Sequence, residues 1–194
     1  MSLLILLAAM TLAVRGIAYP PAVGILGSAR DCSSCHSQSG PWKDDSTVLI
    51  DIIDKELNRS LKQANGNFII TVKRHEKKTV LTVIGTRNKT IAPKRNAWIY
   101  IDNSKEASTS LSKFPLGWMI DIQMSCRVVG DKYLTDSNAA VTVVPTTLLA
   151  GDSAKAATIT LHAMLTEGSA VKGKPNEGLT SNSFQRTVVL AIED

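Results

Sequence analysis

Cys32, Cys35 and His36 belong to the pentapeptide Cys32-Ser33-Ser34-Cys35-His36, and no other passage of this chain points so directly to a chemistry. Two thiols spaced by two residues, with an imidazole next in line, match the attachment site of a covalently held haem. Each thiol adds across one vinyl group of a single porphyrin and becomes a thioether. The histidine that follows is then held beneath the iron as its proximal ligand. Three other uses of the cysteines compete. A redox dithiol belongs where a strand meets a helix, and nothing around residue 32 reads as that unit. A structural zinc needs four ligands, and no second cysteine pair completes the set. A simple disulfide is the third.

The pentapeptide resembles the motif of c-type cytochromes. That resemblance implies one covalent haem c, electron transfer as the activity, and attachment outside the cytoplasmic membrane. The N-terminus agrees with export. Residues 2–14 (SLLILLAAMTLAV) form an apolar run closed by Arg15, too short for a spanning helix and suited to a signal peptide. No Lys or Arg precedes the run, which keeps an uncleaved anchor open. Gly16 and Ala18 offer cleavage before Tyr19. Residues 1–18 are therefore expected to be a signal peptide, 19–45 a haem-attachment segment, and 46–194 a helix plus β-sandwich domain. Removing 18 of 194 residues leaves 176 and lowers the formal charge from +5 to +4, because Arg15 is the only charge lost. No basic stripe with interleaved aromatics suggests nucleic acid. No second apolar stretch of spanning length follows, so no membrane span is expected after cleavage.

The elements that must position the motif change character along the chain. Residues 19–43 hold Pro20-Pro21, three glycines, the motif and Gly40-Pro41-Trp42, and read as an irregular segment wrapped around a cofactor. Trp42, six residues after His36, is either a wall of the porphyrin site or an anchor for the segment. Over 46–64, Val48, Leu49, Ile52, Ile53, Leu57 and Leu61 recur at three- and four-residue steps and predict a helix stopped by Asn65-Gly66. The β-branched content keeps a strand open at its start. Beyond Asn67 the period falls to two, and strands are expected over 68–74, 79–86, 97–102, 118–129, 139–144, 156–165 and 184–192. Seven strands without intervening helices predict a mainly β chain, an antiparallel sandwich of immunoglobulin-like type. In 118–129, alternation places Trp118, Ile120, Ile122, Met124, Cys126 and Val128 on one face, which makes Cys126 a buried core thiol. Met119 and Met124 read first as packing.

The sixth iron ligand is open. In 158–165, His162 and Met164 share a face with Thr158 and Thr160, opposite Ile159, Leu161, Ala163 and Leu165. That face is either solvent or a cover over the haem. His75 sits before Glu76-Lys77-Lys78 at an expected turn, where an exposed histidine is the common outcome. His162, His75, a methionine, and an open or water-bound position are all candidates.

The order Ala18-Tyr19-Pro20, then CxxCH, then a β-rich domain also resembles cytochrome f. In that family the mature chain begins Tyr-Pro, the tyrosine α-amino group is the sixth ligand, and the large domain is a fibronectin-like sandwich. Carried over, Tyr19 would supply its amine and His36 its imidazole. Tyr19 stands only thirteen residues before Cys32, a departure from that pattern, and no C-terminal membrane anchor follows.

Two function classes result. One is an exported mono-haem electron-transfer protein, found in the periplasm or at the cell exterior. It would act as a shuttle, a respiratory subunit or a protomer of an extracellular cytochrome assembly, with redox proteins or copies of itself as partners. The other is an exported β-sandwich binding or structural module in which haem is absent or incidental. Asn58-Arg59-Ser60 and Asn88-Lys89-Thr90, which match glycosylation acceptors, suit extracellular display. No Ser-His-Asp set, paired carboxylates or phosphate loop argues for an enzyme, and haem peroxidase or sensor chemistry is the distant third.

Overall fold

The computed structural model describes residues 38–44, 46–105, 113–123, 126–134, 136–168 and 179–193. The readings on the signal peptide, Tyr19, Cys32, Cys35, His36 and Met124 lie outside the described residues. Among those described, the chain is mainly β, with no α-helix. Its strands are β1 (Val48–Asp54), β2 (Arg59–Ser60), β3 (Phe68–Lys73), β4 (Lys77–Thr86), β5 (Arg95–Asp102) and β6 (Trp118–Ile122). They continue as β7 (Cys126–Val128), β8 (Asp131–Tyr133), β9 (Asp136–Ala150), β10 (Ala157–Gly168) and β11 (Leu179–Glu193).

Two curled sheets, each a half-barrel, share one core. The first runs β2-β1-β4-β9-β6, with β8 also on β9; the second runs β3-β11-β10-β5-β7. Side chains from both fill the space between, including Ile52, Ile84, Val144 and Leu148 from the first and Phe68, Trp98, Tyr100, Leu161 and Leu190 from the second. Polar groups bridge the sheets as well. Tyr100 and Thr82 share a 2.6 Å hydroxyl hydrogen bond, and Asn96 donates to the Ile84 carbonyl at 2.7 Å. Full burial pushes the Tyr100 hydroxyl well above the ordinary tyrosine range. Along one flank the sheets are stitched directly: Leu61 N–H donates to Ile52 O, and Ile69 N–H donates to Leu61 O.

The helix expected over 46–64 is absent. Val48, Ile50 and Ile52 enter the shared core, while Leu49 and Ile53 join a second cluster on the opposite face with Val83, Ala139 and Val141. A strand covered on both faces is apolar throughout and mimics a helical period, and the β-branched residues decide for the strand. Asp54 then ends β1. Its carboxylate accepts from the N–H groups of Glu56 and Leu57 and pairs with Lys78 at 2.7 Å. Burial pushes the Asp54 carboxyl up, but Lys78 and the two N–H donors outweigh it and hold it below its usual range.

Each of the seven expected strands has a counterpart, with two corrections. The pairing of β3 with β11 is parallel, so the second sheet is mixed. The stretch 118–129 is also not one strand: β6 pairs with β9, whereas β7 pairs with β5 in the other sheet. The chain therefore crosses between sheets, and the single face read from alternation breaks. Trp118 stays buried, Val128 is exposed, and Cys126 is a half-buried free thiol on an edge strand. Burial raises its pKa against the opposing pull of Arg95. Pro145, inside β9, pairs with Leu81 on one side and lies between the reaches of β8 and β6 on the other. A residue without an N–H suits that gap.

Two predictions follow from this packing. A Cβ at Gly85 would stand 2.0 Å from Ala140 O and 2.7 Å from Val141 Cα, both backbone atoms. Gly85→Ala is expected to cost about 3 kcal/mol in denaturant unfolding, and a cost under about 1 kcal/mol would refute the β4–β9 approach. On the outer face of β1, the Tyr133 hydroxyl donates to Asp51 Oδ2 at 2.9 Å; burial, then the Asp51 carboxylate, push its pKa up to about 12. The folded pKa exceeds the unfolded value of about 10, so this bond's contribution is whole below pH ~10 and lost as pH rises towards ~12. After solvent screening it is about 1 kcal/mol. Urea titrations should show the wild type's advantage over Tyr133→Phe at pH 7 vanish across that window.

Candidate functional site

The chain enters the sandwich along the free edge of β11. β3 covers β11 only from Val188 onward, which leaves its first half open on that side. Residues 38–42 take the vacant edge. Gly40 N–H donates to Ser181 O at 2.9 Å, and Trp42 N–H donates to Asn182 Oδ1 at 3.0 Å. Gln38 clasps Ser183 with a pair of bonds: its Nε2 donates to Ser183 Oγ at 2.8 Å, and its Oε1 accepts from Ser183 N–H at 3.0 Å. Gly40 is required here, because a Cβ would stand 2.5 Å from Asn182 Oδ1 and 2.9 Å from the Ser181 carbonyl carbon.

Trp42 completes the docking. Its ring is 0 % exposed, lies in the shared core, and donates its indole N–H to Ile91 O at 2.6 Å. The anchoring role is thus filled. Gln38, two residues after His36, is the last described point before the motif, and Cys32, Cys35, His36 and Tyr19 lie outside the described residues.

His162 lies on the outer face of the second sheet. Inner positions of β10 are Ile159, Leu161, Ala163 and Leu165, all in the shared core. The alternate residues Thr160, His162, Met164 and Thr166 face outward, opposite Ile101, Ile99, Ala97 and Arg95 of β5. Ala97, Ile99, Ile101 and Met164 are each at most 7 % exposed, yet none belongs to either hydrophobic cluster. His162 as a whole is half-buried, and its Nε2 is inaccessible to solvent.

His75 is elsewhere. It lies in the turn from β3 to β4 with φ of 64°, exposed, its Nε2 3.1 Å from Asp152 Oδ1. Arg74 beside it donates its N–H to Glu193 O, at the far end of β11 from Ser183. Met119 is exposed on β6. The structure thus brings His162 and Met164 to one face and places His75 at the opposite end of the sheet. Gln38, Asn182 and Ser183 went unnoticed in the sequence, since a side-chain clasp on a strand edge has no periodic signature.

One groove of about 350 Å³ lies over the outer face of the first sheet, lined by Ile53, Leu81, Val83, Tyr133, Leu134 and Val143 among others. Among the described residues no three His, Cys, Asp or Glu side chains converge on a metal-sized site, and no helix is long and apolar enough to cross a membrane. No family model matches the chain, and no curated protein aligns with it.

Trp42→Ala is expected to cost about 3–5 kcal/mol in denaturant unfolding. Trp42→Phe, which keeps most of the packing and drops the bond to Ile91, should cost about 1–2 kcal/mol. An Ala variant as stable as wild type would show that the 38–42 segment is not held as described.

Proposed function

We propose that this chain is an exported mono-haem c-type cytochrome that transfers electrons and is not an enzyme. The observation that carries the reading is the pentapeptide Cys32 to His36, followed after one residue by a docked segment, 38–42. Two thiols and an imidazole at this spacing are the donor set that haem c takes: Cys32 and Cys35 for the thioethers, His36 for the proximal position. When bound, the haem supplies one-electron oxidation and reduction at its iron. The chain's own part is to hold that group at a fixed place on the protein. Gln38, Gly40 and Trp42 do so by tying the motif's C-terminal side to β11.

We assign the architecture to the immunoglobulin-like sandwich class. Two mostly antiparallel sheets over one core, and turns in place of helices, support the assignment. An apolar N-terminal run supports export to the periplasm or cell exterior, where haem c attachment takes place in the family that the motif resembles. The fitting partners are redox proteins or further copies of this chain. A shuttle, a respiratory subunit and a protomer of an extracellular assembly all use one haem presented at a protein surface. The edges are short or irregular at β7 and β6, which leaves backbone groups for edge pairing between copies.

The second reading, a binding or structural module, is favoured by the groove on the first sheet and by two exposed sequons in turns. Asn58 has φ of 51°, and the Asn88 side chain accepts from Thr90 N–H and Oγ1. An optical spectrum of protein made in a host with haem-c maturation separates the two. Covalently retained haem with sharp reduced bands is expected, and Cys32→Ser with Cys35→Ser should abolish it. A colourless wild-type protein would leave the module reading in its place.

A further inference from the structure

We infer that β6 is an interaction edge whose partner is the β6 of a second copy of this chain. The two strands pair antiparallel about Ile120, which joins the first sheets of both copies. This rests on the partner reading above, that copies of this chain associate, and is independent of the haem. β6 ends the path of the first sheet, with β9 on one side and, among the described residues, no strand on the other. Gly151 N–H donates to Gly117 O, and Trp118 to Ile122 follow in register with Ala150 to Thr146. Antiparallel bonding alternates along a strand, so Met119 and Asp121, in phase with Gly117, direct their backbone groups to β9. Trp118, Ile120 and Ile122 direct theirs to the open side. Trp118 agrees with that phase, since its N–H donates to Pro115 O and not to β9. The Ile120 N–H and C=O, the Trp118 C=O and the Ile122 N–H are thus presented to a partner.

The other terminal strands are blunted against such pairing. β2 is two residues long and begins with Arg59, while β7 and β8 have three each, with Arg127 and Lys132 at their centres. On the outer side of β3, Leu61 O accepts from Ile69 N–H. β6, by contrast, reads Trp118-Met119-Ile120-Asp121-Ile122, with no Pro, Lys or Arg and no bulge. Its inner side chains Ile120 and Ile122 pack on the shared core but stay only partly buried, and Met119 on the outer face is exposed. An edge of this kind is a template for a further strand. Its start is also pinned. The Trp118 indole N–H donates to Lys155 O at 2.9 Å, and a Cβ on Gly117, where φ is 83°, would stand 2.3 Å from Ala154 N. A partner strand therefore meets backbone groups already in place, which lowers the ordering cost of association.

Charge and bonding select the register. Centred on Ile120, the strands exchange a reciprocal pair of Ile120 bonds, and each Ile122 N–H reaches the other copy's Trp118 C=O. The ladder stops there, because Pro115 O already takes the Trp118 N–H. Met119 then faces the other copy's Asp121, and the two-fold axis repeats that pair. Moving the centre to Asp121 keeps as many backbone bonds but sets two carboxylates directly opposite, which is destabilising. Moving it to Met119 forfeits half of the bonds, since the occupied Trp118 N–H would then lie in the ladder.

The test is sedimentation velocity of the full chain over a concentration series at low salt, as wild type, Met119→Asp, Met119→Lys and Ile120→Pro. The Met119 side chain faces outward and the Ile120 N–H points away from β9, so each variant keeps the pairing of β6 with β9, which thermal unfolding checks. The wild type is expected to dimerise. Met119→Asp places a carboxylate opposite Asp121 at both symmetric pairs and should weaken the dimer about tenfold, and Met119→Lys should tighten it by a similar factor. Ile120→Pro removes the central donor from each strand and should leave monomer. A dimer indifferent to all three variants overturns the β6 pairing and leaves copies of the chain as partners. Met119 variants that shift the dimer in the same direction overturn the register and the proposal with it. If Ile120→Pro does not fold, the opposite signs of the two Met119 variants decide. A wild type that is monomeric at every concentration overturns the partner reading itself, which is a different failure.

Discussion

Burying an indole in the shared core commits the residues just before it in the chain. Trp42 has no exposed surface and no unsatisfied N–H, and its ring is part of the core that both sheets share. Residues 38–41 must therefore run outward from that point, and the free first half of β11 is the edge available to them. The Gln38 clasp and the Gly40 bond follow from that geometry. A segment without secondary structure of its own is thus held by one large apolar side chain and a few edge hydrogen bonds.

The core that receives Trp42 is cross-linked by polar groups as well as by packing. Tyr100, Thr82, Asn96 and Thr142 join the sheets through side-chain hydrogen bonds within the apolar interior. Such bonds contribute little net stability against water, but leaving one partner unsatisfied in the interior is costly. They therefore penalise any sliding of one sheet over the other, and they do so close to β5 and β10.

Much of the fold was legible because period-two alternation is a local signal. The strands now numbered β3, β4, β5, β9, β10 and β11 declared themselves through residues such as Phe68, Ile70 and Val72, which alternate with exposed neighbours. Alternation fails where burial is two-sided, as in β1, whose seven residues are all buried and whose spacing imitates a helix. It fails again where the chain changes sheets: Trp118 to Val128 keeps a regular pattern in sequence although β6 and β7 belong to different layers. At the site, the face shared by His162 and Met164 was visible in the sequence, but the clasp of Gln38 on Ser183 was not, because it is a contact across 145 positions.

A filled interior decides where on this fold a large ligand can sit. Trp42, Trp98, Tyr100, Phe68 and the surrounding aliphatic side chains already occupy the space between the sheets. A sandwich packed to ordinary density has no room there for a porphyrin. Any large group that the described fold holds must therefore lie against an outer face or an edge, and the groove over the first sheet lined by Ile53, Leu81, Val83 and Val143 is one such surface.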